Sequence, residues 1–232
     1  MRMLERTCLL VALSCGLAHA DPVDLKPFRA TYTIEWKGLT AGSSTFELSH
    51  TGPDTYSYSS TNVARGMFKL AFSDTITQAS TFRIVEGRVV PLSFRGSDEK
   101  ERPTDLSFDW QNKRVTGTAK GHAVDLELPD GAQDPMSLQI ASLRSLASSS
   151  LQSTAHLVDS DKLKDYELQL EGKAQIETEL GTLDTIIYTS RNASGGRITR
   201  TWVAPALGYL PVKAERIRDN KVEFTILIQT AQ

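Results

Sequence analysis

Cysteine is nearly missing from this chain. Its two copies, Cys8 and Cys15, both fall within the first twenty residues. Everything downstream therefore lacks disulfides, thiolate metal ligands and thiol nucleophiles. Histidine is scarce too. His50, His122 and His156 lie far apart, with no His-x-x-x-His or His-x-His pairing, so nothing in the spacing points to zinc. No serine sits in a Gly-x-Ser-x-Gly elbow, and no glycine-rich phosphate loop is present. The run Asp98-Glu99-Lys100-Glu101 mixes signs and reads as a solvated loop rather than a catalytic carboxylate pair. No catalytic residue, metal ligand or cofactor site is assigned. The formal net charge of −2 lacks the positive excess of a nucleic-acid binder.

Long apolar runs are also lacking, with one short exception. Arg2 and Arg6 precede an apolar stretch over residues 8–18, and Ala18-His19-Ala20 forms a small-x-small cleavage site before Asp21. Residues 1–20 thus read as a cleavable export signal, too short in its apolar part to anchor in a bilayer. Cys15 is a poor lipidation site, because Ala12-Leu13-Ser14 places leucine one position later than a lipobox does. Residues 21–232 remain as one β-rich domain, large enough to bury a core.

Alternation of period two dominates the remainder. Residues 28–37 place Phe28, Tyr32, Ile34 and Trp36 on one face and polar residues on the other, as a sheet with one wet face requires. The same phase continues through Phe46 and Leu48, Tyr56 and Tyr58, Phe68, Leu70 and Phe72, and Phe82 and Ile84. Pro91 inside the set Val90, Leu92 and Phe94 predicts an edge or a bulge. Residues 96–105 are charged and read as a loop. Strands follow around residues 106–128, and seven more from residue 156 to the end, the last hairpin turning at Asp219-Asn220.

One stretch breaks this rhythm. Residues 134–149 predict a helix, with Asp134 as the cap, Pro135 at the first turn, and Met136, Ile140, Leu143 and Ala147 along one side. Short strands at roughly ten-residue spacing around a single helix predict a mainly β fold. The expected architecture is a curved antiparallel sheet, forming an open or half β-barrel, with the helix packed as plug or lid.

Polar residues inside the apolar phase mark a candidate pocket. Arg200 falls between Ile198 and Trp202, and Gln78 and Ser80 between Ile76 and Phe82. A buried arginine is costly unless paired, so Arg200 needs a carboxylate partner, an open end, or a cavity admitting water or ligand. An apolar interior with a few polar groups is how small-molecule sites are built. Arg200, Trp202, Trp110, Gln78 and Met136 are the candidate ligand-binding residues, the competing reading being core aromatics and barrel-rim polar groups.

Several features resemble a family together: Tyr32-x-x-x-Trp36-Lys37-Gly38-x-x-Ala41-Gly42, then Asp134-Pro135-Met136-Ser137 with Arg144 after it, then Thr201-Trp202 followed by Leu210-Pro211-Val212. Over about residues 25–229 the chain resembles the exported bacterial family catalogued as domain of unknown function 3108. The resemblance implies a periplasmic, β-rich protein of a Gram-negative bacterium and implies no activity. By architecture the chain is also similar to periplasmic lipoprotein carriers, unclosed barrels with a helical lid. The leading expectation is a non-enzymatic binder or carrier of a lipid, acyl chain or lipoprotein. The alternative is an envelope structural or assembly factor that acts through contacts with an envelope protein, and an enzyme of glycans or esters ranks last.

Overall fold

A computed structural model describes residues 25–71, 75–98 and 101–232. The export signal expected at residues 1–20 lies outside these, as does Phe72. The first run of strands comprises β1 (Phe28–Trp36), β2 (Leu39–His50), β3 (Thr55–Ala64), β4 (Thr75–Val85), β5 (Arg88–Asp98), β6 (Glu101–Asp109), β7 (Arg114–Ala119) and β8 (His122–Glu127). The second comprises β9 (Thr154–Asp159), β10 (Lys162–Thr178), β11 (Gly181–Asn192), β12 (Ile198–Ala204), β13 (Leu210–Arg218) and β14 (Lys221–Ala231). Between the runs lies α2 (Ser137–Ala147), and a one-turn helix, α1 (Phe68–Ala71), interrupts the connection from β3 to β4.

All fourteen strands form one antiparallel sheet in the order β8-β7-β6-β5-β4-β3-β2-β1-β14-β13-β12-β11-β10-β9. The sheet is an open, half-barrel-like layer, as its alternation predicts. Each run is a meander, and the two are joined where β1 pairs with β14, from Ala30 opposite Ala231 to Trp36 opposite Phe224. The free edges are therefore β8 and β9, the two strands that flank α2 in sequence. The helix spans the seam between them. Gln133 fastens its approach to β9, donating its N–H to the His156 carbonyl at 2.9 Å and accepting the Val158 N–H at 2.8 Å. Bulges at Leu92, at Val212 and beside Leu170 bend the strands and curl the sheet. The first sits beside Pro91, whose carbonyl accepts the Trp110 indole N–H at 2.7 Å.

Asp134 caps the helix as its sequence suggests, although regular helix begins three residues later. Its Oδ1 accepts the N–H groups of Met136 and Ser137 at 2.8 and 2.9 Å, and its Oδ2 accepts the Ser80 hydroxyl of β4 at 2.6 Å. The cap thus also ties α2 to the sheet.

Two expectations are corrected. The alternation of Phe68 and Leu70 is not a strand. Gly66, at φ 56°, turns the chain out of β3, and the N–H groups of Phe68, Lys69 and Leu70 bond three residues back. In that helical turn residues two apart face different ways, so Phe68 is buried while Leu70 is solvated. Residues 96–98 and 101–105, expected in a loop, belong to strands instead. β5 and β6 stay paired, with Arg95 opposite Asp105 and Gly96 opposite Thr104. Their charges belong to a solvated sheet face, where Arg95 and Asp105 pair at 3.3 Å.

The inner face is filled at one end. Phe28, Leu48, Tyr58 and Ser80 stand at one level across β1 to β4. Near this level Ile140 of α2, and Met136 just before it, pack into the main core with Phe82, Phe94, Leu106 and Val115. Leu143 and Leu146 close on Leu168, Tyr188 and Val203 of the second run. The apolar stripe of α2 thereby joins the two halves across the seam.

Candidate functional site

At the other end of the strands the inner face is hollow. Ile34, Gly42 and Ala64, one level across β1 to β3, border a cavity of about 670 Å³. A Cβ on Gly42 would stand 2.2 Å from the Val63 carbonyl oxygen, so glycine lets β2 and β3 approach here. The volume falls within the roughly 300–1,000 Å³ of small-molecule sites.

The deep end is aromatic and hydroxylic. Tyr32, Tyr58 and Tyr188 are all buried there. Phe46 stacks on Tyr58 at 5.8 Å and meets Tyr32 edge-on at 5.4 Å. The Tyr32 hydroxyl donates to the Pro211 carbonyl at 2.8 Å, and that of Tyr58 points to Gln139 Oε1 at 3.4 Å. Burial pushes all three phenols above their ordinary range, and in Tyr58 the neighbouring Tyr32 and Tyr188 add to it. These hydroxyls stay neutral at physiological pH and offer hydrogen bonds rather than acid–base chemistry. Ser60 and Thr201 add two more hydroxyls among the lining residues, both buried.

The helix supplies one wall. Pro135, Leu138, Gln139 and Ser142 line the cavity at steps of three, one and three, a face beside the apolar stripe. The Ser142 hydroxyl donates to the Leu138 carbonyl at 2.8 Å, and Gln139 Nε2 to the Pro135 carbonyl at 3.2 Å, so the wall's polar groups are largely satisfied. One flank of α2 is thus a core element and another covers a space.

Four charged residues line the cavity. Asp159 pairs with Lys164, and Lys213 with Glu215 at 2.7 Å. Arg216 is exposed and makes no side-chain hydrogen bond or ion pair among the described residues. Its register, opposite Thr199 and Phe224, places it on the cavity face at the open end. Among the described residues no cluster of three or more histidine or acidic side chains could hold a metal ion.

Of the five sequence candidates, Gln78 lines the cavity, with Ser60 opposite it on β3. The other four lie outside its lining. Arg200 has the carboxylate partner its position demanded: Nε and Nη2 bond the two carboxylate oxygens of Glu171 at 2.6 and 2.7 Å, and Glu215 stands 3.9 Å from it. Glu171 holds its guanidinium charged. Trp202 packs in a cluster with Ala204, Leu210 and Val212, beneath Lys213 at 4.6 Å. Trp110 packs half-buried against the main core, and Met136 is wholly buried within it. Alternation correctly puts Arg200 and Trp202 on a common face, but the cavity lining of β12 is Thr199 and Thr201. Sequence reading missed Tyr188, Arg216 and the polar flank of α2. The spacing of residues 135, 138, 139 and 142 could have indicated the last of these, and the shared phase of Ala214 and Arg216 the second.

An unclosed antiparallel half-barrel, sealed along its seam by one helix and hollow at one end, defines the class of protein. The chain belongs to the family described as protein of unknown function (DUF3108), whose model matches residues 31–226. Among solved structures it is similar to a beta-barrel-like protein of domain of unknown function DUF1849 from Brucella abortus. That likeness has a TM-score of 0.61 at 11% identity, over 89% of this chain and 97% of the other. A second likeness, to MucB, has a TM-score of 0.37 at 9% identity, over 92% of this chain and 55% of the other. A comparison with curated proteins finds no match. Among the described residues no helix is long and apolar enough to cross a membrane.

Proposed function

We propose that this protein is an exported, periplasmic, non-enzymatic binder or carrier of an amphipathic ligand with a long apolar part, such as a lipid or acyl chain. The observation that carries the reading is the cavity, apolar along its walls and hydroxyl-bearing at its deep end, next to a core of buried apolar side chains. An apolar chain would lie among Ile34, Phe46, Leu138, Leu168 and Ile226, with Gln78, Ser60 and the tyrosine hydroxyls available for polar groups along it. Arg216 at the open end is suited to an anionic headgroup, since its charge is not already neutralised by a carboxylate. The Arg200–Glu171 pair and Trp202 stiffen β12 and so support the wall. The signal-like pattern of residues 1–20, a basic start, a short apolar run and a small-x-small site, supports the compartment.

Native mass spectrometry after mild purification tests this reading. A bound lipid-sized adduct is expected, together with saturable uptake of a fluorescent fatty acid. Ala214→Trp, which fills the cavity from β13, should abolish uptake while leaving the circular dichroism spectrum unchanged. A clean apo mass with no uptake by the parent protein would refute the assignment.

A further inference from the structure

The cavity opens at the end of the sheet that carries the three most exposed large apolar side chains among the described residues. Leu70 and Met67 retain 88% and 74% of their surface, and Leu39 and Val222 retain 59% and 41%. These four are neighbours through a shared aromatic base. Leu39 is the cross-strand partner of Trp36, and the Trp36 ring meets that of Phe68 at 5.9 Å. Met67 and Leu70 flank Phe68 in and beside α1. On the other side Trp36 pairs with Phe224, two residues from Val222 on β14, and the Lys37 N–H bonds the Glu223 carbonyl at 3.1 Å. Scattered apolar residues are ordinary on a soluble surface, whereas a group of four at one end marks an interaction site.

The charge around this group has one predominant sign. Lys37 lies over the Trp36 ring at 4.6 Å, and Arg65, Arg216 and Lys221 stand at the same strand ends. Of the nearby described acids, Glu223 pairs with Arg197 at 3.2 Å and Asp219 with Arg218 at 3.8 Å, which leaves Glu35, one residue before Trp36, against Lys37, Arg65, Arg216 and Lys221. In a chain of net charge −2, a basic end is a local feature and not a consequence of composition. Apolar side chains ringed by lysine and arginine match the chemistry of an anionic bilayer surface, with headgroups meeting the cations and the interfacial apolar layer taking up Met67 and Leu70.

We propose that this end, built from the β1–β2 turn, α1 and the β13–β14 turn, docks on the surface of an anionic phospholipid membrane. Docking there faces the open end of the cavity toward the lipid. The inference goes beyond the cavity reading and shares only Arg216 with it.

Co-sedimentation with vesicles of phosphatidylcholine, with and without an equal part of phosphatidylglycerol, tests it. The parent protein should pellet with the anionic vesicles and release as salt is raised, because each lysine or arginine contributes about fivefold in partitioning and the contribution is screened. Met67→Glu/Leu70→Glu alters only solvated side chains. It should lower partitioning by more than tenfold, with an unchanged melting temperature and unchanged uptake of a fluorescent fatty acid, so docking and cavity binding are read separately. No binding to anionic vesicles, or binding the double variant leaves intact, would overturn the proposal. A dimer in solution that the same substitutions dissociate would assign the face to a second copy and also overturn it.

Discussion

Replacing Asp134 by alanine should destabilise the protein by about 3 kcal/mol. Its carboxylate is fully buried and accepts three hydrogen bonds, from the N–H groups of Met136 and Ser137 and from the Ser80 hydroxyl. Alanine leaves all three donors without their acceptor, and a buried orphaned donor costs about 1–3 kcal/mol. Taking the low end for each gives the total. The low end is appropriate because removing a desolvated charge gives some of the loss back. Burial is the largest influence on Asp134 and raises its pKa, opposed by the bonds from Ser80, Ser137 and Met136. The native state therefore holds the Asp134 proton more readily than the unfolded chain does. Its contribution to stability is greatest below the unfolded pKa and declines as pH rises through the raised native one. Asp134→Asn keeps an acceptor for the helix N–H groups and should cost less than alanine. It should also lose the gain that wild type shows on mild acidification. Urea unfolding followed by tryptophan fluorescence at several pH values, with Ser80→Ala completing a double-mutant cycle, measures these differences. A loss under about 0.5 kcal/mol for Asp134→Ala, the range of ordinary surface changes, would refute the idea that this carboxylate anchors the cavity wall.

Three further outcomes follow from the same geometry. Arg200→Leu should lower the unfolding free energy by only about 1 kcal/mol, because the Glu171 pair is more than a third exposed and partly screened, while fatty-acid uptake per folded molecule stays unchanged. Met136→Ala should cost about 2–5 kcal/mol in urea unfolding, the range for emptying a buried site, again without changing affinity. Across straight-chain carboxylates, calorimetric affinity should rise about fourfold per methylene, equivalent to about 0.8 kcal/mol, until the cavity is full. A flat series would mean that the chain does not enter.

Sequence alone determined what local periodicity can encode. Alternating residues such as Tyr32, Ile34 and Trp36 identify strands and sort them into two faces, because side chains of a strand leave on opposite sides. Asp134, Pro135 and the stripe from Met136 mark the helix, because capping and the helical period are properties of neighbours in the chain. Tertiary structure decided what depends on how strands are stacked side by side. The pairing of β1 with β14, which puts β8 and β9 at the edges and α2 across the seam, joins residues some two hundred positions apart. Alternation places Arg200 and Trp202 on one face but cannot tell which face is hollow. That is set by register and bulges, and it places Thr199, Thr201 and Arg216 at the cavity and Arg200 against Glu171. Nor can a period of two distinguish a filled level from an empty one along a single inner face. Phe28 with Tyr58 and Ile34 with Gly42 follow the same pattern, and only the helix and the second run of strands, arriving from far along the chain, fill the first level and leave the second open.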